Sequence, residues 1–239
     1  MFDSKSSIFA CLALAALLSA EAALAENDKP AAQPPASSEA AQKQSANQTP
    51  ADESKLRIGP GDPVAGKSKA EICFGCHGED GNSTDPMAPK LAGQYGVYIA
   101  KQIRNFQATT RTHQIMSGMA ATVSDGDLAD ISAYYASQPI MKGDHPSSNK
   151  LGKKLFENDD LARMVVRCSN CHGATGKGLN PGNPVYPVIG GQHREYLLAQ
   201  LINFRKGARN NSPGGVMNIT VHRLSDAELE ALADYVSGL

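Results

Sequence analysis

Two copies of one five-residue string constrain this chain more than anything else in it. The first is Cys73-Phe74-Gly75-Cys76-His77 and the second is Cys168-Ser169-Asn170-Cys171-His172. Both read C-x-x-C-H, the attachment signature of a c-type haem. Two thiols three positions apart fall on one helical turn, so each can form a thioether to a vinyl group of the same porphyrin. The adjacent imidazole then lies under the ring, within reach of the iron. One copy is moderately specific, because C-x-x-C also occurs in redox and zinc proteins. Two copies with matched downstream sequence point to two covalently bound haem c groups.

The remaining cysteine, Cys11, lies far from either string, so all five cysteines of the chain are placed. A length of 239 residues accommodates two small domains plus unstructured segments. The formal net charge of −1 argues against a nucleic-acid binder. Aromatic residues are few and Trp is absent, which suits small domains whose largest apolar core element is a porphyrin.

Residues 1–25 read as a secretory signal peptide. The apolar run Ile8 to Ala20 is short for a membrane span, and Ala23-Leu24-Ala25 is a small-x-small cleavage pattern. The rival is an uncleaved anchor. Export suits the haem sites and places the mature protein in the periplasm. Residues 26–58 are rich in Ala, Gln, Ser and Pro, with no aromatic from Ala25 to Phe74, and read as a disordered linker.

From residue 59 onward two related halves follow. Pro89-Lys90-Leu91-Ala92-Gly93-Gln94 aligns with Pro187-Val188-Ile189-Gly190-Gly191-Gln192, and Tyr98, Gln102, Asn105 and Phe106 align with Tyr196, Gln200, Asn203 and Phe204. Tyr98, Gln102 and Phe106 share a helical face. Arg111 and Arg209 keep the same spacing and are read either as solvated or as partners of haem carboxylates. Ser124 and Ser225 are predicted N-caps of closing amphipathic helices. Upstream of the second C-x-x-C-H, eleven residues separate Phe156 from Cys168, where two separate Ala70 from Cys73. A surface loop absorbs that difference. Each half therefore reads as helix, haem string, irregular loop, helix, loop, helix. The fold class is all-α, two tandem domains from an internal duplication. Domain 1 spans 59–141 and domain 2 spans 142–239, with Gln138 to about Lys150 as a connecting stretch.

The second axial ligands follow from the duplication. Met217 is the one methionine after the second haem string, and the first half offers Met87, Met116 and Met119. Met116 stands to Ser124 as Met217 stands to Ser225, whereas Met119 aligns with Thr220. The expected iron ligands are His77 with Met116 and His172 with Met217; the alternative is that both methionines are core residues. His113, His145, His193 and His222 read as surface residues.

The paired strings resemble the class I cytochromes c. Together with Leu91 to Gln94, Gly190 to His193, the NFRKGAR run Asn203 to Arg209, Met116 to Met119 and Leu224 to Leu229, residues 60–239 resemble the dihaem cytochrome c4 family. The resemblance implies two domains about an approximate twofold axis, with haem carboxylates meeting between them. It also implies electron transfer in the periplasm, toward a terminal oxidase or another reductase, with redox proteins as partners and no catalysis. His/Met ligation with both iron positions filled suits a carrier. The alternatives are the cytochrome subunit of a periplasmic dehydrogenase and a dihaem peroxidase-like enzyme. Residues 58–141 hold six Lys/Arg against eight Asp/Glu, and 142–239 hold twelve against nine, so the two halves differ in charge sign.

Overall fold

A computed structural model describes residues 59–146, 148–179 and 185–239. The expected signal peptide and the 26–58 linker lie outside the described residues. The described residues form ten α-helices, two short 3-10 turns and one isolated bridge.

The first half runs α1 (Pro63–Lys69), α2 (Glu71–His77), α3 (Gly96–Gln107), α4 (Met116–Ala121) and α5 (Asp125–Ser137). The second half repeats it as α6 (Lys150–Glu157), α7 (Ser169–His172), α8 (Arg194–Arg205), α9 (Val216–Val221) and α10 (Asp226–Ser237). Asp62 starts α1 by accepting from Val64 N, with Pro63 at the first helical position, where no amide donor is needed. Ser124 caps α5 through Asp127 N, and Ser225 with Glu228 forms a reciprocal capping box on α10. These are the two serines singled out by the sequence. The stretches at Met116 and Met217 differ from expectation, because each folds into a short helix instead of a loop.

In each half the opening helix crosses the closing one at backbone contact: α1 packs on α5 and α6 on α10. A Cβ at Gly66 would lie 2.0 Å from Asp130 O, and one at Gly152 would lie 2.0 Å from Ala231 O. Only glycine permits that crossing. Around it lie two cores, one of Ala70, Ile99, Ile131, Tyr134 and Tyr135, the other larger and including Phe156, Leu197, Phe204, Leu229 and Leu232. The extra residues of the second half make a braced turn. Asp160 bridges Val165, Leu161–Arg163 is 3-10, and Arg163 reaches Asp160 at 2.7 Å and Glu228 at 2.9 and 3.1 Å.

The halves are clasped by two glutamines related by the duplication. Gln94 donates to Val188 O at 2.8 Å and accepts from Val188 N at 3.0 Å. Gln192 donates to Lys90 O at 2.9 Å and accepts from Lys90 N at 2.8 Å. Both side chains are only 5% exposed, so their amides have no water to fall back on. A third core cluster, Ala92, Met141 and Val188, sits beside them. Met141 is 1% exposed, its N bonds Ala92 O, and Lys177 Nζ holds its carbonyl. The start of the connecting stretch is thus part of the core between the halves.

Each of Gln94→Ala and Gln192→Ala removes the two buried hydrogen bonds that grip the other half's backbone and orphans those backbone groups, at an expected cost of about 2 kcal/mol. Urea unfolding of the haem-loaded protein measures it. Arg163 bonded to Glu228 holds that carboxyl down to about 2 from its ordinary 4.5. The unfolded chain therefore binds the proton more readily, so the pair stabilises fully above about pH 4.5 and loses its contribution as pH falls toward 2. Glu228→Gln should lower the melting temperature at neutral pH and flatten its decline between those limits.

Candidate functional site

Helix α2 carries Cys73, Cys76 and His77 on adjacent turns. Helix α7 carries Cys171 and His172, and Cys168 is its N-cap. No two of these four cysteines are joined by a disulfide. Burial pushes the Cys73 thiol up to about 11 and the Cys168 thiol up to about 12. In each string the first cysteine packs against the half's own core, and in the first string Cys76 is exposed. Cys73 packs with Ala70 and Tyr135, and Cys168 with Leu155 and Phe156.

The two imidazoles are held alike. His77 Nδ1 lies 2.9 Å from Pro89 O and His172 Nδ1 lies 2.8 Å from Pro187 O. A carbonyl only accepts, so Nδ1 carries the hydrogen and the Nε2 lone pair is left outward for a metal. Neither Nε2 makes a hydrogen bond among the described residues. Burial lowers both imidazoles' affinity for a proton, although each carbonyl partly opposes it, and the neutral ring is the form that ligates iron. The proline that opens each repeated downstream run is thus the residue that orients the imidazole.

Met116 opens α4 and Met217 is the second residue of α9, and both are half-buried. The alignment that pairs them is repeated in the surrounding contacts. Ala120 and Val221 are the buried residues of their helices, and Gln107 binds Val123 O where Arg205 binds Leu224 O. Among the first-half rivals, Met87 is exposed. His113 Nδ1 accepts from Ile115 N and Met116 N at 3.3 Å each, so it caps the Met116 turn.

The sequence alone allows Arg111 and Arg209 either solvent or haem carboxylates as partners. Arg209 is 6% exposed, and both arginines reach across the halves. Arg111 donates to Gln102 in its own half and to Tyr196 and Gln200 in the other. Arg209 donates to Gln200 in its own half and to Tyr98 and Gln102 in the other. Each guanidinium also lies over a phenylalanine, Arg111 at 4.7 Å from the Phe106 ring and Arg209 at 4.5 Å from Phe204. Lys101 joins them, bonding Asn105 Oδ1 and the Asn211 carbonyl. Burial raises the Tyr196 hydroxyl's pKa, but Arg111 and Arg209 outweigh it and hold it below the ordinary value. Among the described residues no carboxylate bonds any member of this cluster. Three cations gathered without an anion are costly, and the two carboxylates of each haem are the counter-charges such a cluster lacks. The donor set therefore fits the group that the two C-x-x-C-H strings imply. Tyr98 and Tyr196 are bridging residues, more than the packing faces expected of them.

His193 is a correction. Expected at the surface, it is 9% exposed, with Nε2 2.9 Å from Ser83 Oγ and 3.0 Å from Ser83 O, and Nδ1 3.5 Å from Asp144. Ser, His and Asp in that order are not a nucleophilic triad here. Ser83 Oγ donates its hydrogen to Ala88 O at 2.6 Å, so Nε2 serves as the donor and has no lone pair to activate the hydroxyl. The group is a polar seam beside the glutamine clasp. Sequence reasoning also missed Gln94, Gln192 and Lys101; the glutamines recur at matched positions, whereas Lys101 has no counterpart.

A family model for cytochrome c matches residues 63–138 and 150–239, one match per half. A cytochrome c4 from Pseudomonas aeruginosa is 39% identical over 181 residues, covering 75% of this chain and 89% of that protein. A thiosulfate dehydrogenase electron acceptor from Stutzerimonas stutzeri is 30% identical, covering 71% of this chain and 80% of that protein. The crystal structure of reduced recombinant cytochrome c4 from Pseudomonas stutzeri superposes with a TM-score of 0.70 at 38% identity, covering 75% of this chain and 99% of that one. Two matched haem strings, two oriented imidazoles and these likenesses converge: the chain belongs to the cytochrome c4 family, electron carriers with two covalently attached haem c groups.

Proposed function

We propose that Cys73 and Cys76 form the thioethers of the first haem and Cys168 and Cys171 those of the second, with His77 and Met116, and His172 and Met217, as the axial ligands. The observation that carries the ligand assignment is the pair of Nδ1–H to proline-carbonyl bonds, which leaves each Nε2 unprotonated and turned to one side. Each haem, when bound, supplies a one-electron iron couple, and a thioether on the sixth position favours the reduced state. The chain's own residues then do three things. The buried imidazoles stay neutral. The methionine helices close the iron to small molecules. Arg111, Arg209 and Lys101 hold the haem carboxylates between the halves.

The domains are 59–141 and 142–239, preceded by a signal peptide cleaved near Ala25 and the 26–58 linker, and the carrier works in the periplasm. Its partners are a quinol-oxidising complex or another electron donor, and a terminal oxidase or reductase as acceptor. A second reading, the electron-accepting subunit of a periplasmic dehydrogenase, is favoured by the likeness to the thiosulfate dehydrogenase electron acceptor. A dehydrogenase that reduces the purified protein as fast as a quinol-oxidising complex does would move that reading to the front.

The dithionite-reduced protein should show c-type bands that carbon monoxide leaves unchanged. Met116→Ala and Met217→Ala should each expose one iron, so that the gas shifts about half of the haem absorbance. A wild-type protein shifted by the gas, or a methionine variant that is not, refutes the corresponding ligand.

A further inference from the structure

The two halves build the same helix ahead of each haem string and treat its charges oppositely. Gly66 matches Gly152, so Lys67 of α1 matches Lys153 of α6 and Ser68 matches Lys154. In the first half the lysines are neutralised. Lys67 bonds Glu79 at 2.8 Å, and Lys69 bonds Asp127 at 3.1 Å and Asp130 at 2.5 Å. In the second half the positions matching Glu79 and Asp130 are Ala174 and Ala231, and Glu228, which matches Asp127, is held by Arg163. Lys153 and Lys154 are exposed, and neither meets a carboxylate among the described residues.

Between these lysines and Cys168 the chain makes the braced turn that the first half lacks. Val165 is packed into the core of the second half, so its neighbours Met164 and Val166 face outward. Leu161 stands beyond them, 76% exposed. The acids of the turn are engaged within it, Asp159 by the Arg167 backbone N and Asp160 by Arg163. Met164 is held in the left-handed region at φ 57°, a conformation that a non-glycine residue keeps only where its surroundings enforce it. The Asp160 to Val165 bridge and the Arg163 to Glu228 pair supply that enforcement. A segment already fixed loses little freedom on binding.

We propose that this turn and the lysines of α6 form the face on which the carrier docks a redox protein whose own docking face is acidic around an apolar centre. This rests on the haem assignment above, because Cys168, where the turn ends, is one anchor of the second haem. Leu161, Met164 and Val166 meet the partner's apolar centre and exclude water there. Lys153, Lys154 and Arg167 steer its carboxylates to the rim. The matching face of the first half has its lysines paired and two residues in place of the turn, so it does not recruit such a partner.

Plastocyanin, a small copper protein with acidic patches beside an apolar face, serves as the probe. Electron exchange with the two-haem protein, in which a ferrous haem is oxidised and copper(II) is reduced to copper(I), is followed by stopped flow. Binding of the copper(I) form to the reduced protein, where no electron moves, is followed by calorimetry. Salt is raised from about 10 mM to about 150 mM, which shortens the screening length from about 30 Å to about 8 Å. The wild-type rate and affinity should fall with salt. Lys153→Glu with Lys154→Glu should lower both about tenfold at low salt and remove most of the salt dependence. Leu161→Ser with Met164→Ser should weaken binding at every salt concentration and leave the slope unchanged. Lys67→Glu, the matched reversal in the first half, should leave the rate within about twofold. A wild-type rate indifferent to salt, an unaffected lysine variant, or an equal loss in Lys67→Glu overturns the inference. Self-association lost in the lysine variant with rate and affinity unchanged would make a second copy the occupant and overturn it too. Intact, gas-insensitive c-type bands in each sample separate these outcomes from a failure of the haem assignment itself.

Discussion

The arrangement depends on a set of positive charges that the described residues of the chain do not neutralise. Arg111, Arg209 and Lys101 meet between the halves with amides, phenols and aromatic faces around them, and among the described residues no carboxylate is bonded to any. A polypeptide alone has little reason to bury such a group, since desolvating each ion costs several kcal/mol. Two haems would bring four carboxylates, which on the proposal above would make the cluster a joint held by the cofactors themselves. The duplication explains why the joint is shared. Each arginine is anchored in its own half and donates to the tyrosine and glutamine of the other, so neither half completes its cofactor's surroundings alone.

The remaining interface supports that joint. The Gln94 and Gln192 clasp grips the backbone directly beside the two prolines whose carbonyls set the imidazoles. Lys90 follows Pro89 and Val188 follows Pro187 in the chain. A shift of one half against the other would therefore pull on the residue next to an imidazole-orienting carbonyl. Packing of Met141 between Ala92 and Val188 stiffens the same region. A carrier benefits from stiffness, because electron transfer slows when the site reorganises with each change of charge.

The haem strings, the helices and their caps were legible because they are local. C-x-x-C-H fixes its geometry within one turn, and Ser124 and Ser225 cap through residues three positions on. The internal repeat carried the rest, since matching the two halves paired Met116 with Met217 and Arg111 with Arg209. What escaped were contacts between positions 85 to 111 residues apart, such as Gln94 with Val188 and Arg209 with Tyr98. Nothing in a single sequence marks a glutamine as facing its own repeat. His193 was misjudged for the same reason, because its burial comes from Ser83 in the other half. Met141 sat in a polar, proline-bearing stretch, and composition gave no sign that it fills a core.

The most direct test of this account is the infrared carboxylate signal of the haem-loaded protein, with the haem carboxylates labelled with carbon-13, followed as pH is lowered. If the three cations hold those carboxylates, at least one of them should keep its ionised band well below the ordinary carboxylate range, where free haem carboxylates are already protonated. If every labelled carboxylate titrates in the ordinary range, the cluster is not their counter-charge, and the joint between the halves rests on the glutamine clasp and the apolar core alone.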